Sequence, residues 1–240
     1  MRVTIHQPEH LPWLGFFAKA ASADQLILLD DVPYRHGYFQ NRNRLSHDGK
    51  PIWLTVPVRH RGHLEKPIRK VEIDEKNGRW RRQYLGRLQD SLRNAAHAED
   101  VLAPLTGIVE QASGGLCDLN VRIIGFLRDL LDVQTPMKLA SELHVGGRSS
   151  DLLAKLCERA GAHAYLSGPS GRDYLDLGPF RRRAIRVEYF RFAHPKYPRG
   201  REPWIDGLSS VDLIAHVGID GAREVFREAM SASDVERAPD

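Results

Sequence analysis

Residues 2–31, RVTIHQPEHLPWLGFFAKAASADQLILLDD, decide the fold class of this chain. Residues 2–5 predict a short strand that carries Val3 and Ile5, and residues 14–23 carry apolar side chains at helical spacing. Residues 25–29 are a continuous apolar run that ends in two aspartates, as a buried parallel strand does. A strand, a helix and a second strand so close together predict a right-handed βαβ unit.

The rest of the sequence continues the alternation of strands and helices. Strand-like segments lie at 52–58, 68–74, 137–144, 164–168 and 184–192, and we expect the last of these to be the final strand. Helical patterns occur at 77–96, 98–131, 149–160, 209–216 and 220–230, with breaks near Pro104 and at Gly114-Gly115. The sequence therefore predicts an α/β fold, with a mostly parallel sheet and flanking helices. We expect one domain over 1–230, with a helical insertion at 77–131 and a flexible polar tail at 231–240.

The loop after the first strand, IHQPEHLPW at 5–13, is rich in reactive side chains. Loops that only reverse the chain are usually built from Gly, Asn, Asp and Ser. Ligands of open α/β sheets bind beyond the carboxyl ends of the strands, so His6 and His10 are candidates to move a proton or steady a phosphate. The alternative is that these histidines only cap and pack. A helix that begins near Trp13 would direct its amides at an anion, and Gln7 and Trp13 are substrate-binding candidates.

Asp30 and Asp31 follow the second strand, so they should meet the His6 loop if the two strands are neighbours. They could hold a divalent metal ion, accept a proton or bind a ribose. The alternative is a turn in which each Asp bonds its own backbone. With the histidine loop beside them, we favour a function for at least one. Lys19, on the first helix, is predicted to face outward and is a substrate-binding candidate.

Three other segments supply further substrate-binding candidates. The NRNR stretch offers guanidinium forks suited to carboxylate or phosphate, although a solvated edge strand is an equally simple interpretation. The SGPSGRDY loop allows close backbone approach of a phosphate or sugar, and HPKY leaves a predicted strand end. The candidates in these segments are Arg42, Asn43, Arg44, Ser167, Gly168, Ser170, Tyr174, His194 and Tyr197. We expect His6, Asp30 or Asp31, Arg42 and His194 to line one pocket.

Charge and composition favour an anionic small-molecule ligand. The net charge is +4 and the isoelectric point is about 9.1, with arginine runs at 79–82 and 181–183 that look like anion-binding patches. A solvated arginine-rich surface is the alternative for each run. A nucleotide, a sugar nucleotide or an aminoacyl donor would suit this balance of charge.

Several function classes lack their sequence signatures. There is no Walker A loop, no GxGxxG after a strand and no GxSxG elbow. No segment has the length and apolar character of a membrane helix, and no signal peptide is recognisable, so we expect a cytoplasmic protein without a membrane partner. Cys117 and Cys157 have no Cys or His nearby at ligand spacing, which argues against a disulfide framework or a zinc site.

Stretches along nearly the whole chain resemble the WbqC-like family, found in bacterial gene clusters for O-antigen and other surface polysaccharides. They are IHQPEHLPWLGFFAKAASADQLILLDDVPY, NRNRL, WLTVPV, YLSGPSGRDYLD, HPKYP and LSSVDLIAHVG. Two positions depart from the family pattern: His10 stands where an aromatic residue is usual, and Val217 where Asn precedes the final glycine. The resemblance implies a transferase that moves glycine or another aminoacyl group to a sugar. His6 would then be the base or proton shuttle, with Asp30 or Asp31 as its partner.

The resemblance leaves the donor and the cofactor open. It implies that Arg42 and Arg44 hold phosphates of the donor or acceptor, and that a divalent metal or a nucleotide could be the cofactor. Nucleic acid is not expected as a partner, except as an aminoacyl-tRNA donor. The N-terminal βαβ unit is also similar to the Rossmann-like nucleotidyltransferases of the HUP class, in which a histidine pair steadies the phosphates. A basic module that binds nucleic acid or polysaccharide without catalysis is the non-enzymatic alternative.

Overall fold

The computed structural model describes residues 1–59, 66–76, 78–200 and 203–239. Its strands are β1 (Arg2–His6), β2 (Gln25–Leu28), β3 (Arg42–His47), β4 (Lys50–Thr55), β5 (Met137–Leu139), β6 (Ala164–Ser167), β7 (Arg186–Arg191) and β8 (Asp234–Arg237). Its α-helices are α1 (Leu14–Ala21), α2 (Trp80–Leu92), α3 (Glu99–Glu110), α4 (Leu116–Leu130), α5 (Ser149–Arg159), α6 (Gly171–Tyr174), α7 (Gly178–Arg181) and α8 (Ser210–Ser231).

A six-stranded sheet holds the main elements together, in the order β5-β2-β1-β6-β7-β8. The first five strands are parallel to one another, and β8 is antiparallel to β7. The predicted α/β fold with a mostly parallel sheet is confirmed. So is the βαβ unit, because β1 and β2 are parallel neighbours, with Ile5 opposite Ile27.

The alternation of side chains along the strands gives the sheet two apolar faces. Leu26 and Leu28 of β2 point to one face, where they join a cluster with α1, α2, α3, α4 and α8. Ile27 points to the other, where it joins β1 residues Val3 and Ile5 and side chains of α5 and α7. We call these the α1 face and the α5 face. Helices α2 to α4, from the predicted insertion, thus contribute to the same core as α1.

Strands β3 and β4 form a separate antiparallel hairpin, in which Arg42 lies opposite Thr55 and Arg44 opposite Trp53. Its inner side buries Asn43, Leu45 and Leu54 against the α1 face cluster and the loop after β1. Strand β4 ends before Pro57, which cannot donate a ladder hydrogen bond.

Two predicted strands are wrong or too long. Residues 68–74 form a 3₁₀ turn at Ile68–Lys70 and isolated bridges, because the Ile68 and Arg69 N–H groups donate to the carbonyls of Val32 and Asp30 instead of to a strand. Residues 137–144 contain a strand only at Met137–Leu139, after which a 3₁₀ turn runs to Leu143.

The C-terminal end also differs from the expectation. Residues 184–192 do not supply the final strand, since β8 follows within the segment predicted to be a flexible tail. The β8 segment pairs with the free edge of β7, and Val235 packs on the α1 face cluster. Helix α3 runs through Pro104 without a break, because burial of Val101, Leu105 and Val109 in the core offsets the cost of an interior proline.

Helix α8 has a kink where the sequence predicts a boundary between two helices. Gly218 lies there with φ 74° and ψ 174°, a conformation that is essentially restricted to glycine. Among the described residues, no helix combines the length and the apolar character needed to span a membrane.

Candidate functional site

The sheet has a topological switch point between β1 and β6. The chain builds β1, β2 and β5 in one direction, then returns to place β6 and β7 on the other side of β1. The crevice beyond the carboxyl ends of two such strands is where doubly wound sheets bind their ligands. His6 is the last residue of β1 and Ser167 the last of β6, so both stand at this point.

His6 has one ring nitrogen that bonds to no residue in the described part of the chain. Its Nδ1 lies 3.1 Å from the Gln7 carbonyl, which can only accept, so Nδ1 carries the proton and Nε2 is the basic nitrogen of the neutral ring. The ring packs edge-on against Phe16, with centroids 4.9 Å apart. The side chain remains 26% exposed. The contact with Phe16 therefore holds the His6 ring in place, and part of the side chain remains accessible to a ligand.

The side chains of Glu9 and Lys19 lie close to the His6 ring. A Glu9 carboxylate oxygen lies 3.7 Å from His6 Nδ1, and the Lys19 ammonium donates to the Ile5 carbonyl at 3.3 Å. Glu9 Oε2 is buried and has no hydrogen-bond partner in the described part of the chain. Lys19 is buried, so the prediction that it faces outward is wrong. The Ile5 carbonyl and the nearby Glu9 carboxylate hold its ammonium inside.

Burial shifts the proton affinities of all three groups. It lowers the pKa of His6 to about 3, helped by the Lys19 charge and opposed by the Gln7 carbonyl. Burial raises the pKa of Glu9 to about 7, against the Lys19 charge, and lowers the pKa of Lys19 to about 8, against the Glu9 charge. At neutral pH, His6 is thus unprotonated beside a carboxyl group poised between its two forms. Perturbed groups that cluster in this way are typical of functional sites.

His10 is engaged in the interior of the protein. Its Nδ1 is 2.9 Å from Asn120 Oδ1 and its Nε2 is 2.7 Å from the Tyr84 hydroxyl. Asn120 also donates to the carbonyls of Pro8 and Gln40, so it ties the His6 loop to the following segment. Burial lowers the pKa of His10 to about 4, opposed by the Asn120 hydrogen bond. The geometry matches the packing interpretation of His10, since both ring nitrogens are used.

The NRNR stretch divides between the two sides of the hairpin. Asn43 is buried and donates to the carbonyls of His10 and Leu11, which fixes the end of the His6 loop. Arg42 and Arg44 project from the outer side and bond to backbone carbonyls. Their buried Nε atoms have no hydrogen-bond partner among the described residues.

Trp13 and His194 bring the loops after β1 and β7 together. Their rings are stacked with an interplanar angle of 11° and centroids 6.0 Å apart. His194 also contacts Trp204 and Tyr197. Burial lowers the pKa of His194, opposed by the Pro195 carbonyl and nearby aspartates. Gln7 accepts a hydrogen bond from Gln40 at 2.7 Å.

A buried ion pair fixes the loop that carries His194. Asp212, near the start of α8, accepts hydrogen bonds from the Tyr197 hydroxyl at 2.7 Å and from Arg199 Nε at 2.9 Å. Both charged side chains are almost completely buried. Tyr197 therefore holds the loop, and its hydroxyl is already occupied.

Asp30 and Asp31 lie at the end of β2 and differ in their surroundings. The carboxylate of Asp30 is buried and accepts hydrogen bonds from the Ser141 amide and hydroxyl, at 2.9 and 2.6 Å. Asp31 is partly exposed, and burial together with the Asp30 charge raises its pKa. The carboxylate beside His6 is that of Glu9. No cluster of three or more His, Cys, Asp or Glu side chains suited to a metal ion occurs within the described ranges.

The SGPSGRDY loop carries its candidates to the other face of the sheet. Leu166 belongs to the α1 face, so the next residue, Ser167, points towards the α5 face, while His6 points towards the α1 face. Ser167 is buried and Tyr174 is 65% exposed. Gly168 and Ser170 lie between them, ahead of α6.

One arginine of each predicted arginine run pairs with carboxylates. Arg81 makes two hydrogen bonds with Glu75, and Arg183 contacts Asp151 and Glu158. Arg42 and Arg44 are better candidates for an anionic ligand, because each has a buried Nε–H group without a partner among the described residues. The sequence interpretation missed Glu9, Asn120 and Asp212. For Glu9 a signal was present, because it stands in the same reactive loop as His6.

Comparisons with known proteins agree with the resemblance seen in the sequence. The chain is 31% identical over 226 residues to the uncharacterized protein Rv1507c of Mycobacterium tuberculosis, covering 91% of this chain and 95% of that protein. No solved structure matches. The model of the WbqC-like protein family matches residues 7–224. The chain therefore belongs to the WbqC-like protein family.

Proposed function

We propose that the protein is a transferase that moves an acyl group, such as glycyl or another aminoacyl group, to an amine or hydroxyl of a sugar. The single observation that carries this proposal is the free Nε2 of His6, at the switch point of the sheet, with Glu9 behind the ring. The suggested role of WbqC-like proteins in surface-polysaccharide synthesis supports the choice of a sugar acceptor. An anionic part of the donor or acceptor would bind Arg42 and Arg44.

The proposed reaction uses His6 as a proton shuttle. His6 Nε2 accepts the proton of the acceptor N–H or O–H as that atom attacks the acyl carbon of the donor. The bond between the acyl carbon and the leaving group then breaks, and the imidazolium returns the proton to the leaving group. Glu9, in its charged form, stabilises the imidazolium from 3.7 Å away. Its role replaces the one that the sequence suggested for Asp30 or Asp31.

The HUP-type alternative is less well supported by the geometry. That mechanism needs two loop histidines that face the same phosphates, whereas both ring nitrogens of His10 already bond to Asn120 and Tyr84. No observation favours nucleotidyl transfer over acyl transfer here.

The test is the substitution His6→Ala, assayed by mass spectrometry for aminoacylated sugar after donor and acceptor are found by thermal-shift screening. We expect turnover to fall about 10²–10⁴-fold with little change in Tm. His163→Ala is the matched control, because that histidine is exposed at the amino end of β6, across the sheet from the site. A His6→Ala protein that keeps its turnover would refute the proposal. Salt-sensitive binding of nucleic acid without turnover would favour the binding-module alternative.

A further inference from the structure

The outer side of the β3–β4 hairpin carries aromatic side chains beside its two arginines. Arg42 and Arg44 share this side with Trp53, since Arg44 lies directly opposite Trp53 and Arg42 lies diagonally across. Trp53 is 39% exposed, and Phe39 in the preceding loop is 36% exposed. The two ring centroids are 5.7 Å apart. We call Phe39, Arg42, Arg44 and Trp53 the hairpin patch. Clustered exposed aromatic side chains of this kind mark binding surfaces.

The arginines of the hairpin patch have unused charge and unused donors. The Arg42 guanidinium lies over the Trp53 ring, 4.2 Å from its centroid. Arg42 and Arg44 bond to the carbonyls of Gly37, Asp206 and Gly207, and neither forms a salt bridge with a described carboxylate. Both have a buried Nε–H group without a partner in the described part of the chain. Buried donors on charged groups ordinarily find an acceptor, which makes the two Nε–H groups candidates to donate to a bound anion.

The hairpin patch adjoins the His6 loop. The His10 amide donates to the Phe39 carbonyl at 2.8 Å, and Gln40 donates to Gln7 at 2.7 Å. A ligand on the hairpin patch would therefore lie next to the loop that begins at His6.

We propose that the hairpin patch binds a nucleotide, with its phosphates on Arg42 and Arg44 and its base stacked on Trp53 and Phe39. Both features of the patch are needed to reach this ligand class. Inorganic phosphate would leave the exposed aromatic surface uncovered, and a neutral sugar would leave the arginine charges without an anion. A nucleotide supplies a planar ring and an anion together. This inference rests on the proposed function, because the nucleotide would be the carrier of the acyl donor or of the acceptor sugar.

The test is calorimetric titration of the full-length protein, without turnover. The probes are nucleoside diphosphates with each of the four bases, pyrophosphate, a sugar nucleotide and a short RNA with a 3′-terminal CCA. We expect at least one nucleotide probe to bind more tightly than pyrophosphate. Trp53→Ala should weaken that probe roughly 5- to 150-fold, while pyrophosphate binding is unchanged. Trp53→Phe should restore part of the affinity, and Arg42→Ala should weaken nucleotide and pyrophosphate alike. Arg186→Ala, exposed at the amino end of β7, is the charge-matched control.

The probes also separate the sources of the nucleotide. Tight binding of the sugar nucleotide or of a nucleoside diphosphate would identify the ligand as a small nucleotide carrier. Binding of the RNA alone, with the same dependence on Trp53, would identify the ligand as the 3′ end of an RNA. The inference is overturned if no nucleotide probe binds better than pyrophosphate, or if Trp53→Ala has no effect. His6→Ala should bind the nucleotide as the wild type does. If the His6 activity test fails, the nucleotide-binding result therefore still stands.

Discussion

Glu9 is the residue whose charge state distinguishes the candidate site from an ordinary loop. It lies beside a neutral His6 and a buried Lys19, and one of its carboxylate oxygens has no hydrogen-bond partner among the described residues. Because the fold favours its protonated form, Glu9 couples the protonation of the site to the stability of the protein.

The raised pKa of Glu9 predicts a specific pH dependence of stability. The pKa of Glu9 in the folded protein, about 7, exceeds the ordinary value of 4.5, so the stabilisation that Glu9 contributes is fully present below pH 4.5 and is lost as the pH rises through about 7. Glu9→Gln should lack this loss. The difference in unfolding free energy, mutant minus wild type, should therefore grow by about 1–3 kcal/mol between pH 4.5 and 7. Urea unfolding at a series of pH values measures it.

His6 is common to both proteins, so its own loss of stability at acid pH cancels in that comparison. A difference that stays constant across the window would show that Glu9 titrates as an exposed carboxylate does. In the enzyme assay, the same substitution should remove an inflection of the rate near pH 7.

At the scale of elements, the loop after β7 is held to α8 by one buried acidic side chain. Asp212 accepts hydrogen bonds from both Tyr197 and Arg199, and these residues come from two stretches that carried the family resemblance, HPKYP with its neighbouring arginine and LSSVDLIAHVG. The arrangement explains these stretches without assigning them a role in chemistry. They fix His194 and Trp204 against the loop that begins at His6.

Asp212→Asn should destabilise the protein strongly, because it removes the buried negative charge that Arg199 and Tyr197 both contact. We expect a loss of about 3–5 kcal/mol in unfolding free energy, measured by urea denaturation. Tyr197→Phe is the control, since it removes one neutral donor from the same carboxylate and should cost about 1.5–3 kcal/mol, the range for a hydrogen bond to a charged group. Equal effects of the two substitutions would mean that the ion pair contributes no more than an ordinary hydrogen bond.

At the scale of the whole molecule, local sequence patterns predicted the parallel sheet, whereas the conformations of Asp234–Arg237 and of residues 68–74 depend on tertiary contacts. The βαβ unit was predictable because continuous apolar runs and helical spacing lie within one short segment. The segment Asp234–Arg237 is polar and alternates weakly, so only the free edge of β7 makes it a strand. Residues 68–74 look like a strand, but their amides are taken by the loop after β2.

The location of the candidate site was predictable from the sequence, but not all of its residues were. The carboxyl end of β1 followed from the strand pattern, and His6 is there. Which loop side chains turn inward was not predictable, because the proline-rich loop has no periodicity and Leu11 adopts a positive φ of 43°. That path buries His10 against Asn120, a residue of α4 more than a hundred positions away. It leaves Glu9 beside His6.

The final strand gives the last prediction. Strand β7 is buried on both faces along Val187 to Phe190, and β8 covers its otherwise free edge. Deleting residues 232–240 should expose an apolar edge strand, which pairs readily with other chains. We expect a Tm lower by several degrees and concentration-dependent self-association, measured by light scattering after size-exclusion chromatography. Glu236→Ala, which removes the ion pair with Arg172, should associate no more than the wild type does. A truncated protein with the association state and the Tm of the wild type would show that β8 is dispensable as an edge cover.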